Sequence, residues 1–253
     1  MLAVERINKI KEILINQKTA KVSDLSALFN VTEETIRRDL QKLEDESFLV
    51  RSYGGAFIDE GVKTDIDISF REFSHVEGKQ RIAAKCIDYI HDGNSVFLDA
   101  STTSLFIANN LANKNITLVT NSLRIANVLV DHTNINLIII GGGFNHSDMS
   151  MLGRNAELNI NSYFFDTAFI SCRSLSREYG VTDSNEQQAE IRKLAIEHAN
   201  KVFLVADYTK FDRTSFTRIC GFDKIHNIVV DSKLSRDWSD FLKEKHIGLI
   251  ECP

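Results

Sequence analysis

The strongest constraint on this chain is an alternation. From about residue 75 onward, helical stretches take turns with short apolar runs. The runs are SVFLD at 95–99, ITLVTN at 116–121, INLIIIGG at 135–142, FDTAFIS at 165–171, VFLVAD at 202–207, HNIVVD at 226–231 and a last one near 247–250. Helices fit at 75–91, 102–113, 122–131, 186–199 and 233–244. Strands that alternate with helices call for crossover connections, and crossovers place helices on both faces of a mostly parallel sheet. The expected fold class is α/β, with such a sheet as the main domain.

The first 46 residues follow a different rule. Val4, Ile7, Ile10, Ile13 and Leu14 recur at helical spacing. A polar break spans Asn16 to Lys21. Val22, Leu25, Leu28 and Phe29 then mark a short second helix, with Ser23 placed as its N-cap. Asn30-Val31 is a turn. Thr32 caps a third helix, Glu33 and Glu34 suit the dipole of its first turn, and Ile36, Leu40 and Leu43 form its buried stripe. FLVRSYGGAFI at 48–58 places two short runs around Gly54-Gly55, which predicts a hairpin. Three helices and a hairpin are the layout of a winged helix-turn-helix. The segment DEGVKTDIDISF mixes acids with Gly and Thr and shows no helical face. The expected organisation is a small domain at 1–58, a linker at 59–73 and the α/β domain at 74–253.

Composition sets limits. At 253 residues the chain can bury a core without disulfide or metal staples. The four cysteines, Cys86, Cys172, Cys220 and Cys252, form no CxxC pair, and the seven histidines show no HxxxH or HExxH spacing. No metal and no cofactor are expected. No apolar run reaches about 18 residues, and the first residues lack a signal-peptide stretch. These features predict a cytoplasmic protein that does not enter a membrane. The net charge is −5, and residues 1–60 hold 9 Lys+Arg against 11 Asp+Glu. Any contact with nucleic acid must therefore come from local cations.

The third helix offers them. In a winged helix-turn-helix this helix enters the major groove. Arg37, Arg38, Gln41 and Lys42 lie opposite its apolar stripe, and Thr32 and Thr35 sit at its N-terminus. Arg bonds guanine bidentately, and Thr or Gln reads other edges or phosphates. Arg51 and Tyr53 in the hairpin are placed to reach a phosphate or the minor groove. On charge alone, a solvated helix face explains the same residues as well.

In the second domain, polar clusters follow the apolar runs. They are Asp99-Ala-Ser101-Thr102-Thr103, Thr120-Asn121-Ser122, Gly141-Gly142-Gly143 and Asp207-Tyr-Thr-Lys210. Open α/β sheets bind ligands beyond the carboxyl ends of their strands. Neither GxGxxG nor GK[ST] occurs, so this is no dinucleotide or Walker site. The candidate ligand-binding residues are Asp99, Ser101, Thr102, Thr103, Asn121, Gly142, Lys193, Asp207 and Lys210.

The order of these motifs resembles the DeoR family of bacterial transcription regulators. Arg6, Ile10 and Leu14, then TEETIRRDL at 32–40 and RSYGGAF at 51–57, match its DNA-binding domain. Lys79 in GKQRIAAK, the strand-end clusters, FDTAF at 165–169 and DYTKF at 207–211 resemble its sensor domain. Ala100 stands where the family often has Gly. The resemblance implies a non-enzymatic regulator, a repressor of a carbohydrate-utilisation operon. Its implied partners are double-stranded operator DNA, a phosphorylated sugar or sugar-derivative effector, and further copies of itself in a homo-oligomer built through the second domain. Asp39 would be structural, holding Arg37 or Arg38 across a turn or bonding the hairpin backbone. The sensor domain is similar in turn to ribose-5-phosphate isomerase, so a sugar-phosphate isomerase is one alternative. Against it, 170–176 lacks that enzyme's acids, and Ile191-Arg192-Lys193 replaces its Arg-Glu-Lys. A ligand-independent DNA-binding or interaction module is the other alternative.

Overall fold

The structure, a computed structural model, describes residues 2–17, 19–45, 48–57, 71–72 and 74–253. The chain divides into two compact units, Met1–Ser74 and His75–Pro253. The linker expected at 59–73 lies outside the described residues, apart from Arg71 and Glu72.

In the first unit, α1 (Ala3–Gln17), β1 (Thr19–Lys21), α2 (Val22–Phe29), α3 (Glu33–Asp45), β2 (Val50–Ser52) and β3 (Gly55–Phe57) follow one another. The apolar stripes meet in one core: Ile7, Ile10 and Leu14 of α1, Val22 and Leu25 of α2, and Ile36, Leu40 and Leu43 of α3. Asn30 turns the chain between α2 and α3 at φ 52, a left-handed conformation that Asn tolerates well. The Thr35 N–H donates to the Thr32 hydroxyl at 3.3 Å, the expected cap. Gly54 makes the hairpin turn at φ 87.

Two expectations change here. The polar break at 16–21 contains a strand: β1 pairs antiparallel with β3, giving the order β1-β3-β2. Ser23 is not the N-cap of α2. The helix begins at Val22, whose N–H donates to the Gly54 carbonyl at 2.9 Å. The hairpin satisfies that amide, Lys21 at the N-cap position makes no side-chain cap bond, and the Ser23 hydroxyl bonds Asp24.

The second unit runs α4 (Val76–Cys86), β4 (Ser95–Leu98), α5 (Thr102–Ala108), β5 (Ile116–Thr120), α6 (Leu123–Leu129) and β6 (Ile135–Ile139). Then come β7 (Gly143–Asn145), β8 (Ser150–Leu152), α7 (Arg154–Ile160), β9 (Phe165–Ile170), β10 (Ser174–Ser176) and β11 (Gly180–Asp183). It ends with α8 (Glu186–Glu197), β12 (Ala199–Ala206), β13 (Thr217–Cys220), β14 (Asn227–Val230), α9 (Arg236–Glu244) and β15 (Gly248–Glu251). The seven apolar runs form one sheet of order β15-β14-β12-β9-β4-β5-β6. Each neighbouring pair in it is parallel.

Side chains alternate across this sheet, as the pleat requires. Val96, Leu98, Phe169, Phe203, Val205 and Val229 pack with Ile82 of α4, Leu105 of α5 and Ile125 of α6. Phe97, Ala168, Ile170, Val202, Leu204 and Ile228 pack with Ile160 of α7, Ile191 of α8 and Trp238 of α9. Both faces are covered, which is the α/β architecture expected. Two smaller additions, the β7-β8 hairpin and the antiparallel sheet β10-β11-β13, were not expected from sequence; nor was α7. Among the described residues no helix is long and apolar enough to cross a membrane.

The connections fix where the strand order reverses. After β4 the chain winds outward through β5 and β6; β9 starts again on the other side and winds through β12, β14 and β15. The switch point therefore lies between β4 and β9. Crevices at the carboxyl ends open at such points.

Candidate functional sites

On α3, Thr32, Arg37, Arg38, Gln41 and Lys42 are exposed and Thr35 is half-buried, opposite the stripe of Ile36, Leu40 and Leu43. The arginines pair along the helix: Arg37 with Glu33 at 2.5 Å and Arg38 with Glu34 at 3.6 Å. Gln41 donates to Asp45 at 2.9 Å. Arg51, on β2, donates to the Gln41 side-chain carbonyl, and its own N–H bonds Glu44 at 3.0 Å, so the hairpin is tied to α3. Tyr53 at the hairpin turn is fully exposed.

Asp39 corrects the sequence reading. It holds neither Arg37 nor Arg38. Its carboxylate faces inward and accepts from Arg6 Nε at 2.6 Å and Nη2 at 3.2 Å. The hydrogen bond to Asp39 raises the Arg6 pKa. This buried bidentate pair fixes α1 against the helix that carries the exposed cations.

In the second unit, the strand-end clusters meet around the switch point. Asp99 directly follows β4 and is fully buried. One oxygen accepts from the Ser104 hydroxyl at 2.6 Å and the Ser101 N–H at 3.3 Å. The other accepts from the Ser171 N–H beyond β9 at 3.0 Å and from Arg192 Nε at 2.6 Å. Arg192 also grips Asp183 through Nη1. Burial by itself would raise the Asp99 pKa; Arg192, Ser101, Ser104 and Ser171 outweigh it and hold the carboxyl below its ordinary value. Ser101 caps α5, accepting from the Ser104 N–H at 3.1 Å, and Thr102 and Thr103 follow, buried.

Directly past the neighbouring strand β5, Asn121 is buried. Its amide donates to the Met151 carbonyl at 3.3 Å, while its Oδ1 has no partner among the described residues. Gln188 of α8 is similar: its amide donates to Asp148 at 2.6 Å and Ser150 at 2.8 Å, and its Oε1 is unpaired. Buried acceptors without donors are uncommon and mark a place for a water or ligand.

Beyond β12, Asp207 accepts from the Thr209 N–H at 3.0 Å, and Lys210 Nζ stands 3.8 Å from its carboxylate. Burial pushes the Asp207 pKa up; the Lys210 charge and the Thr209 bond, helped by His75 and Lys79, bring it below the ordinary value. Cys172, one residue past Ser171, is buried in the field of Lys210, Asp183, Arg192 and Asp207, and burial raises its thiol pKa. The contiguous strands β12-β9-β4-β5 thus carry Asp207 and Lys210, Cys172, Asp99 to Thr103, and Asn121 at one end of the sheet.

Two of the candidate residues stand elsewhere. Lys193 lies on the exposed face of α8, 3.6 Å from Glu190, rather than with these groups. The buried cation is its neighbour Arg192. The sequence carried a signal for it: Gln188, Ala189, Ile191, Arg192, Ala195 and Ile196 form the buried face of α8, so an arginine falls inside an apolar stripe. Gly142 lies past β6, where a Cβ would press on the Leu152 carbonyl and the Ala156 methyl. Beside it opens a cavity of about 560 Å³, lined by Gly143, Phe144, Asn145, His146, Arg154 and Gln187 among others. Asp99 is present at the site, but protein donors occupy both of its oxygens. Among the described residues no cluster of His, Cys, Asp and Glu is arranged to hold a metal.

Comparison with known proteins adds the following. Residues 6–62 match the DeoR-like helix-turn-helix domain and residues 74–232 the DeoR C-terminal sensor domain. The chain is 36% identical to the uncharacterised HTH-type transcriptional regulator YulB of Bacillus subtilis, over 100% of this chain and 98% of that one. It is 32% identical to the transcriptional regulator IolR of the same bacterium, over 96% and 97%. It is 29% identical to the transcriptional repressor GlcR, again of Bacillus subtilis, over 99% and 96%. Among solved structures, ribose 5-phosphate isomerase A of Methanocaldococcus jannaschii matches 53% of each chain, with a TM-score of 0.39 and 14% identity.

Proposed function

The chain belongs to the DeoR family of helix-turn-helix transcriptional regulators, and from that premise we propose that it represses a carbohydrate-utilisation operon until a phosphorylated sugar or sugar derivative releases it. It is a regulator and not an enzyme, like the relatives it matches. In this reading residues 1–58 bind operator DNA in the cytoplasm. Arg37, Arg38, Gln41 and Lys42 of α3, with Thr32 and Thr35 at its start, contact bases and phosphates in the major groove, and Arg51 and Tyr53 contact the backbone from the hairpin.

Residues 74–253 sense the effector and carry the homo-oligomer. The observation behind the sensing role is the convergence of Ser101–Thr103, Asn121 and Lys210 at the switch point of the sheet. Lys210 is loosely held at 3.8 Å and free to turn to an anion. Hydroxyls suit phosphate oxygens, and the unpaired Asn121 Oδ1 suits a sugar hydroxyl. Asp99 and Arg192 hold the loops in place. An effector that prefers the DNA-incompetent arrangement lowers operator affinity by at most its differential affinity for the two states. Several heads in one oligomer supply the affinity that a single small winged domain lacks.

Calorimetric titration with sugar phosphates tests the sensor. The wild-type chain binds at least one, and Lys210→Ala weakens that binding by tenfold or more while operator affinity stays unchanged. Equal binding by the two proteins contradicts the assignment of Lys210.

A further inference from the structure

The Asp207–Lys210 turn touches the start of the second unit through one residue that has no role in the site described above. Tyr208 is half-exposed, and its ring meets the His75 ring edge-on, with centroids 5.5 Å apart and planes at 84°. The Tyr208 N–H donates to Asp231 Oδ1 at 2.8 Å, at the end of β14. Asp231 in turn packs on α4: a Cβ on Gly78 would collide with its carboxylate, and Arg81 donates to its carbonyl at 3.1 Å. His75 is the first residue of the second unit. It is held in the left-handed region at φ 51, ψ 40, uncommon for a residue with a side chain, and its carbonyl accepts the Lys79 N–H at 3.0 Å. Two routes therefore join the Lys210 turn to the first turn of α4. One is ring to ring. The other passes through the Tyr208 amide, Asp231 and Gly78.

We propose that Tyr208 and His75 couple effector binding to DNA release, through edge-on contact between the Lys210 turn and the residue where the chain enters the second unit. This rests on the effector reading above. When Lys210 leaves Asp207 for an anion, the turn that carries Tyr208 shifts. The Tyr208 ring then no longer buttresses His75 in its left-handed conformation, and the first turn of α4 shifts with it. Neither ring is among the residues assigned to the effector. They are positioning residues, and they set how strongly occupancy of the site is felt, not whether the site is filled.

The test is a coupling measurement on the full chain. Operator affinity is read by fluorescence anisotropy with and without each of three probes: glucose 6-phosphate, ribose 5-phosphate and inorganic phosphate. Probe affinity is read by calorimetry. For the wild type the effective probe lowers operator affinity by about tenfold or more. Tyr208→Ala keeps both separate affinities within about twofold, and the probe-induced drop in operator affinity shrinks to less than about threefold. Tyr208→Phe, which retains the ring, restores the wild-type drop. His75→Ala behaves as Tyr208→Ala, and the double variant is no worse than either single one, because both break the same contact.

A Tyr208→Ala chain with the full drop overturns the proposal and leaves the effector reading standing. So does one that loses probe affinity in the same proportion as coupling. If no probe binds the wild-type chain or moves its operator affinity, the effector reading falls and this proposal with it.

Discussion

Arg37 and Arg192 carry the same guanidinium in opposite settings. Arg37 is half-exposed on α3 and pairs with Glu33 one turn away. Arg192 is buried in α8 between Asp99 and Asp183. An exposed pair of this kind contributes about 0.3–0.5 kcal/mol and exchanges partners readily. A buried one resists change, because removing one partner strands the others without solvent. The first unit holds Arg6 inside against Asp39 and keeps the arginines of α3 exposed and loosely paired. The second spends its best-held cation on fixing two loops of a crevice, and leaves Lys210 as the loosely held charge there.

The largest effect that follows is on stability. Arg192→Met leaves Asp99 and Asp183 buried and unpaired, and should destabilise the second unit by about 3–5 kcal/mol. Calorimetry of the full chain reads it as a lowered unfolding transition. A variant as stable as wild type would erase the contrast between the two arginines.

Acid probes the same difference. The Asp99 and Asp207 pKa values lie below their ordinary carboxylate value, which is about 3.9. The stability these groups contribute is complete above that value and is lost as the pH falls through their depressed values. The melting temperature of the second unit should therefore fall steeply below about pH 4, and Asp99→Asn should flatten that fall. An unchanged acid profile in Asp99→Asn would remove Asp99 as its source.

On the DNA side the effects are smaller. Arg37→Ala should cost about 1–3 kcal/mol of operator binding if the side chain reads a base, with sugar-phosphate binding unaltered. A purely phosphate-bound Arg37 would show instead a uniform loss across sequences and a shallower salt slope. The smallest effect sharpens the comparison further. Glu33→Gln frees Arg37 from its helical partner, changes stability by about 0.5 kcal/mol or less, and tightens operator binding slightly. Weaker binding in that variant would mean that Glu33 orients Arg37 for its contact.

The same contrast explains how much was legible in the sequence. Each strand of the large sheet is an apolar run long enough to stand out, so all seven were visible. β1, β7, β8 and β10 have three residues each with mixed burial, too few to show a period, and only the partner strand defines them. The strand-end clusters are visible because hydroxyls and acids interrupt apolar runs at strand ends. The fixing pairs were not: Arg6 and Asp39 are 33 residues apart and Asp99 and Arg192 are 93 apart. Local spacing carries no trace of such pairings. The register of α8 turns Arg192 into the buried stripe and leaves Lys193 on the outer face.

The most direct measurement is anisotropy on DNA from upstream of the chain's own gene, at two salt concentrations, with and without sugar phosphates. The account predicts salt-sensitive binding that at least one phosphorylated sugar reverses. Tight binding that no sugar phosphate alters, or no binding at either salt, would contradict it.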